Sequence, residues 1–112
     1  MEVDGKLFTL TFDKGSNKNN GPKYYTSGTA ARFYGGNTIT VTVLEGYKIT
    51  SIEIATTSAG NANVITSDVG SCDDAGQGQT VTWAGEISNG GSVTFTVSGT
   101  SGHRRISSIK ID

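Results

Sequence analysis

The side chains best suited to chemistry here are one histidine, one cysteine, a small group of aspartates, and tyrosines beside an arginine. His103 follows Gly99-Thr100-Ser101-Gly102, which only approximates a nucleophile elbow. That motif requires a sharp strand-to-helix turn in an α/β sheet. Cys72 has no evident catalytic partner in the sequence, and a small half-buried thiol is the ordinary role for a lone cysteine. Asp73 and Asp74, with Asp68 close by, offer the oxygen ligands that a hard cation takes. They are the candidates for calcium, although their spacing is not that of an EF-hand. A glycosidase needs two carboxylates facing each other across a cleft, and nothing in the pattern builds one. The expectation is a protein that is not an enzyme, with no catalytic residue and no cofactor unless calcium binds those aspartates.

The aromatic residues point elsewhere. Tyr24 and Tyr25 close the longest polar stretch, D-K-G-S-N-K-N-N-G-P-K at 13–23, and Tyr34 shares a side with Arg32 on the next alternating segment. A planar ring with a hydroxyl, next to hydrogen-bond donors, suits stacking on a sugar or anchoring a protein partner. Trp83 joins this set, although its phase with Val81 also fits burial. The candidate ligand-binding residues are therefore Tyr24, Tyr25, Arg32, Tyr34 and Trp83. Strong attraction to nucleic acid or an anionic membrane needs clustered Lys and Arg. Here the formal net charge is −1, the one local basic cluster is His103-Arg104-Arg105, and Lys14, Lys18 and Lys23 are scattered over a polar loop. Nucleic acid is thus the weakest of the partners considered.

Strands must position these groups. The 16 glycines are about twice average usage, and with abundant Thr, Ser and Asn they fit short strands joined by tight turns. Residues 36–43 read G-N-T-I-T-V-T-V and residues 90–97 read G-G-S-V-T-F-T-V. Each run is followed, a short loop later, by a matching signature: I-T-S-I-E-I at 49–54 and I-S-S-I-K-I at 106–111. The odd spacing between Ile49 and Ile52 recurs between Ile106 and Ile109, which calls for a β-bulge at Thr50-Ser51 and another at Ser107-Ser108. With Glu45-Gly46 read as a tight turn, the repeated unit is a bulged hairpin. Further strands are expected at 7–12, around 24–34, at Val64-Ile65 and at Val81/Trp83, with 70–78 as a loop. The phase of the alternation puts Phe8, Leu10, Ile39, Val41, Val43, Ile52, Ile54, Val93, Phe95, Val97, Ile109 and Ile111 in the core. Eight or nine strands and no useful amphipathic helix predict an all-β, two-sheet antiparallel β-sandwich forming a single module over 1–112. Jelly-roll and Greek-key strand orders both remain open.

One cysteine allows no intrachain disulfide. No segment approaches the ~20 apolar residues of a membrane span. A charged segment leading into an apolar one, the pattern of an export signal, is not seen, which by itself predicts a cytosolic protein.

Several segments together resemble a known group of modules. These are Y-Y-T-S-G-T-A-A-R-F-Y-G-G-N-T-I-T-V-T-V at 24–43, G-Y-K-I-T-S-I-E-I at 46–54, T-V-T-W-A-G at 80–85 and S-V-T-F-T-V-S-G-T-S-G-H-R-R-I-S-S-I-K-I at 92–111. They are similar to accessory β-sandwich (jelly-roll or Ig-like) modules appended to secreted and surface proteins of Bacteroidetes-type gut bacteria. The likeness runs from Phe8 to Ile111 and rests on strands, bulge and turn glycines. It implies a carbohydrate-binding or adhesive module accompanying hydrolases or nucleases, secreted or at the cell surface, with glycan and a neighbouring domain as partners. It brings no catalytic residues with it. A purely structural spacer or protein-docking module is the alternative.

Overall fold

The longer runs of alternating Thr and apolar residues become strands, because a pleated backbone sends successive side chains to opposite faces. The computed structural model describes residues 2–4, 7–25 and 30–112. Its strands are β1 (Glu2–Asp4), β2 (Phe8–Asp13), β3 (Lys23–Tyr25), β4 (Ala30–Tyr34), β5 (Thr38–Val43), β6 (Lys48–Gly60), β7 (Ile65–Ser67), β8 (Ser71–Asp74), β9 (Thr80–Ser88), β10 (Ser92–Val97) and β11 (His103–Ile111). They form two antiparallel sheets, β1-β2-β5-β10-β7 and β3-β4-β11-β6-β9-β8, packed as a β-sandwich. The eleven strands among the described residues exceed the eight or nine expected, and the additions include β1 and β8. β8 occupies part of the segment read as a loop. Its short S-C-D-D run carries no apolar alternation, and it is held by pairing along β9.

The pairing is nested. β4 pairs with β11, β5 with β10 and β6 with β9, all antiparallel. Strands β4 to β11 thus follow jelly-roll winding. The innermost pair, β7 and β8, divides between the sheets and is tied by side chains instead. The Ile65 N–H donates to Asp74 Oδ2 at 2.8 Å, and the Cys72 thiol donates to the Ile65 carbonyl at 3.5 Å.

The repeated unit is not a hairpin. Gly46 takes the expected positive φ of 89°, yet β5 and β6 lie in different sheets, as do β10 and β11. The apolar faces of the two strands in each unit must meet across the core, so the chain arches between layers. Both bulges are present. The N–H groups of Thr50 and Ser51 both donate to the Asp112 carbonyl, at 2.9 and 3.3 Å. On β11, the register against β6 slips between Ile106 and Ser108, leaving Ser107 as the extra residue. The duplication also appears in the pairing itself. Thr40 faces its counterpart Thr94, with hydroxyls 3.0 Å apart, and Glu53 faces its counterpart Lys110. On either side of these two pairs the copies exchange places: Val41 meets Val93 where Ile39 meets Phe95, and Ile54 meets Ile109 where Ile52 meets Ile111. A local pseudo-twofold axis therefore relates the copies.

Eight of the twelve expected core residues are buried: Ile39, Val41, Val43, Ile52, Ile54, Val93, Phe95 and Val97. Phe8, Leu10, Ile109 and Ile111 are half-buried and pack against that cluster. Leu10 and Ile109 line an open groove bordered by β2, β3, β4 and β11. Phe12 and Phe33 bridge the layers edge to face, with centroids 5.6 Å apart and planes at 71°.

Candidate ligand-binding face

Alternation along β4 divides the candidate residues. Phe33 opposes Arg104, and both are buried on the inner face. Arg32 therefore points outward, opposite Arg105 on one side and Lys23 on the other. Two residues further along, Tyr34 opposes His103 on the same outer face, with ring centroids 5.4 Å apart and planes tilted by 53°. The Arg105 Nε–H donates to His103 Nε2 at 3.3 Å, so that ring nitrogen is an acceptor and the imidazole is neutral. Burial, followed by the positive charges of Arg32 and Arg105, pushes the His103 pKa down. The face thus combines an imidazole–phenol ring pair with guanidinium donors. Ring area suits stacking, and the donors suit hydroxyls or anions.

A buried asparagine holds this face in place. Asn37 is fully enclosed. Its Nδ2 donates to the carbonyls of Lys14 (3.0 Å) and Asn20 (2.9 Å), while its Oδ1 accepts the Tyr34 N–H at 2.8 Å. Asn17 Nδ2 donates to the Gly35 carbonyl at 2.8 Å, and the Gly35 N–H reaches the Gly102 carbonyl at 3.0 Å. The polar stretch after β2 is therefore pinned beneath the β4–β5 turn, and that turn is fixed against the residue preceding His103. In the sequence, Gly35-Gly36-Asn37 reads only as a turn, and nothing marks its asparagine as buried.

Trp83 does not belong to this face. It is 1% exposed in the core, and its indole N–H donates to the Val69 carbonyl at 2.7 Å. Gly70 and Gly85 lie against the ring, so that an added Cβ would fall 2.5 Å from Nε1 at Gly70 and 2.8 Å from Cζ2 at Gly85. An indole enclosed in this way offers no surface for stacking on a ligand. Tyr24 is 64% exposed but opposes Ala31 rather than Arg32, and it rims the groove. That groove, of about 390 Å³, is lined by Leu10, Phe12, Ala31, Phe33 and Ile109 among others. The Tyr25 side chain lies outside the described residues. Of the five candidates, the structure brings together Arg32 and Tyr34. Lys23, His103 and Arg105 complete the face. In the sequence they read as loop charges, although the even spacing from Ile106 back to Arg104 signals that His103 and Arg105 share the opposite side.

Arg104 leaves the supposed basic cluster altogether. At 1% side-chain exposure it pairs with Asp74, itself 4% exposed, at 2.7 Å. Its guanidinium also donates to the carbonyls of Asn63 (2.8 Å) and Gly76 (3.0 Å) and to Thr56 Oγ1 (3.1 Å). Burial alone would raise the Asp74 pKa. Hydrogen bonds from Arg104 and from the Ile65 and Gly76 N–H groups, with the Arg104 charge, outweigh burial and hold the carboxyl below its ordinary value. The aspartates are thus dispersed. Asp74 faces inward in this network, Asp73 is exposed opposite Thr82, and Asp68 accepts the Thr94 N–H at 2.8 Å. No group of three or more metal-ligating side chains exists among the described residues. Burial, then Asp74 and Asp73, push the Cys72 thiol pKa up, which disfavours the nucleophilic thiolate. Among the described residues no helix is long and apolar enough to cross a membrane. No family model, no curated protein and no solved structure matches the chain.

Proposed function

We propose that this protein is a non-catalytic carbohydrate-binding module that engages glycan through the outer face of β3, β4 and β11. The observation that carries this reading is the Tyr34–His103 ring pair flanked in register by Arg32 and Arg105. The ring pair supplies apolar area for one sugar face, and the guanidiniums supply directional donors to hydroxyls. Binding on an open sheet excludes little water, so affinity is expected in the micromolar to millimolar range, about −8 to −4 kcal/mol. The resemblance to accessory modules supports a place in a larger secreted or surface protein, beside a domain that the module holds near its substrate. Gel retardation across plant, host and microbial polysaccharides tests the proposal, with Tyr34→Ala and Arg32→Ala beside the parent. Retardation of the parent that weakens in both variants is the expected result. No retardation by any polysaccharide would overturn it.

A second reading, a spacer or docking module, is favoured by the outer face of the other sheet. There Thr9 lies beside Thr42, Thr40 lies between Thr11 and Thr94, and Thr38 lies beside Thr96. These rows of hydroxyls carry no aromatic ring. A module that binds no polysaccharide but stabilises an adjoining domain of its parent protein would be a spacer.

A further inference from the structure

We infer that the sugar recognised on this face is an acidic one, its carboxylate or sulfate seated on the row formed by Lys23, Arg32 and Arg105. The inference rests on the carbohydrate-binding reading and deepens it. These three cations occupy one register position on three adjacent strands, Lys23 opposite Arg32 and Arg32 opposite Arg105. Neighbouring strands run about 4.8 Å apart, so one anion above Arg32 is within reach of both neighbours. Like charges directly opposed across a sheet are destabilising. Elsewhere on this sheet the cations meet acids: Lys110 opposes Glu53, and Lys48 Nζ lies 3.7 Å from Glu86. Among the described residues neither Lys23 nor Arg105 has a carboxylate within ion-pair distance. A bound anion would supply a countercharge to Lys23 and Arg105.

The chemistry of the row fits oxyanions. A guanidinium presents a planar fork of donors that matches a carboxylate or sulfate, while the Lys23 ammonium adds a mobile point charge at the edge. The Arg105 side chain is steered by its Nε–H bond to His103, a bond that does not use its two terminal nitrogens. Tyr34 and His103 stand two residues along the strands from Arg32 and Arg105, roughly 7 Å away. One acidic sugar and its neighbour span both features. Binding of single-stranded nucleic acid uses a basic groove that follows many phosphates, whereas this row is three cations wide on a chain of net charge −1.

Matched polymers test the inference. Retardation of the intact protein is measured in polygalacturonate against its fully methyl-esterified form, in dextran sulfate against dextran, and with a single-stranded DNA oligonucleotide as a competing polyanion. Arg105→Gln and Lys23→Gln are run alongside, each with a melting curve to verify folding. At least one acidic polymer should bind about tenfold more tightly than its neutral counterpart. Arg105→Gln should lose about tenfold, the loss of one charge-assisted hydrogen bond, with its melting temperature unchanged or slightly raised. The pair that discriminates, uronate or sulfate, identifies the anion. Equal binding to acidic and neutral polymers would overturn the anionic assignment and leave the carbohydrate reading standing. Full acid preference in the Lys23→Gln/Arg105→Gln double variant would also overturn it. Tighter binding to DNA than to any glycan, or no binding at all, would remove both.

Discussion

Arg104 and Arg105 are adjacent in the chain and lie on opposite sides of one sheet. Arg104 is enclosed with Asp74 and donates hydrogen bonds to three further oxygens. Arg105 is half-exposed in a row of cations and donates a hydrogen bond to His103. The residue type is the same, and strand parity alone assigns the opposite roles. Inside the sandwich the charge is tolerated because Asp74 and three neutral oxygens meet the terminal nitrogens of Arg104. On the outer face neither Lys23 nor Arg105 has a carboxylate within ion-pair distance among the described residues, and that is the feature the proposed ligand would use. The lesson is that a basic cluster on a strand must be read by alternate residues before it is counted as a patch.

The largest effect should come from breaking the enclosed side. Arg104→Ala leaves Asp74 buried and unpaired, and chemical denaturation should show a loss of about 3–5 kcal/mol. Replacing both partners, Arg104→Met with Asp74→Leu, should recover much of that loss, because a buried ion pair often exchanges for apolar packing at little net cost. A loss below ~1 kcal/mol for Arg104→Ala would erase the contrast between the two arginines.

Crowding the enclosed indole comes next. Gly85→Ala drives a methyl against Trp83 and should cost about 1–3 kcal/mol, as overpacking does. Unchanged stability with unchanged Trp fluorescence would mean that the ring has room to move.

Acidification separates the two sides by sign and by pH. His103 titrates below its unfolded value of about 6.5, and Asp74 below its unfolded value of about 3.9. Each group binds its proton less readily when folded. Its contribution is therefore fully present above the unfolded pKa and is lost as pH falls through the folded pKa. Stability should fall in two steps. His103→Gln should remove only the upper step, and the Arg104/Asp74 double replacement only the lower one.

The smallest effect belongs to the outer arginine. Arg105→Gln should change stability by no more than about 0.5 kcal/mol. It should also raise the His103 pKa in an NMR titration, since one of the charges depressing it is gone. An unchanged pKa would show that Arg105 does not act on the imidazole.

The sheets were legible because period-two runs such as Thr38–Val43 and Ser92–Val97 leave one choice of face. The bulges were legible because Ile49/Ile52 and Ile106/Ile109 break phase in the same way. The arch at Glu45-Gly46 was not, since a turn signal does not say whether the next strand joins the same sheet. β8 was hidden because Ser71–Asp74 has no apolar rhythm, and Asn37 because its burial depends on a loop some twenty residues away. On the candidate face, Arg32 and Tyr34 followed from local alternation. His103, Arg105 and Lys23 needed the β3–β4–β11 pairing, which is a property of the tertiary fold.

The most direct test is an NMR titration of the intact protein with whichever acidic oligosaccharide it binds, following backbone amides and the Trp83 indole. Shifts centred on Arg32, Tyr34, His103 and Arg105, with the Arg104 side chain and the Trp83 indole unmoved, are the predicted result. Shifts centred on the groove around Tyr24, Leu10 and Ile109, or on the threonine rows of the other sheet, would contradict the assignment of recognition to the outer face of β4 and β11.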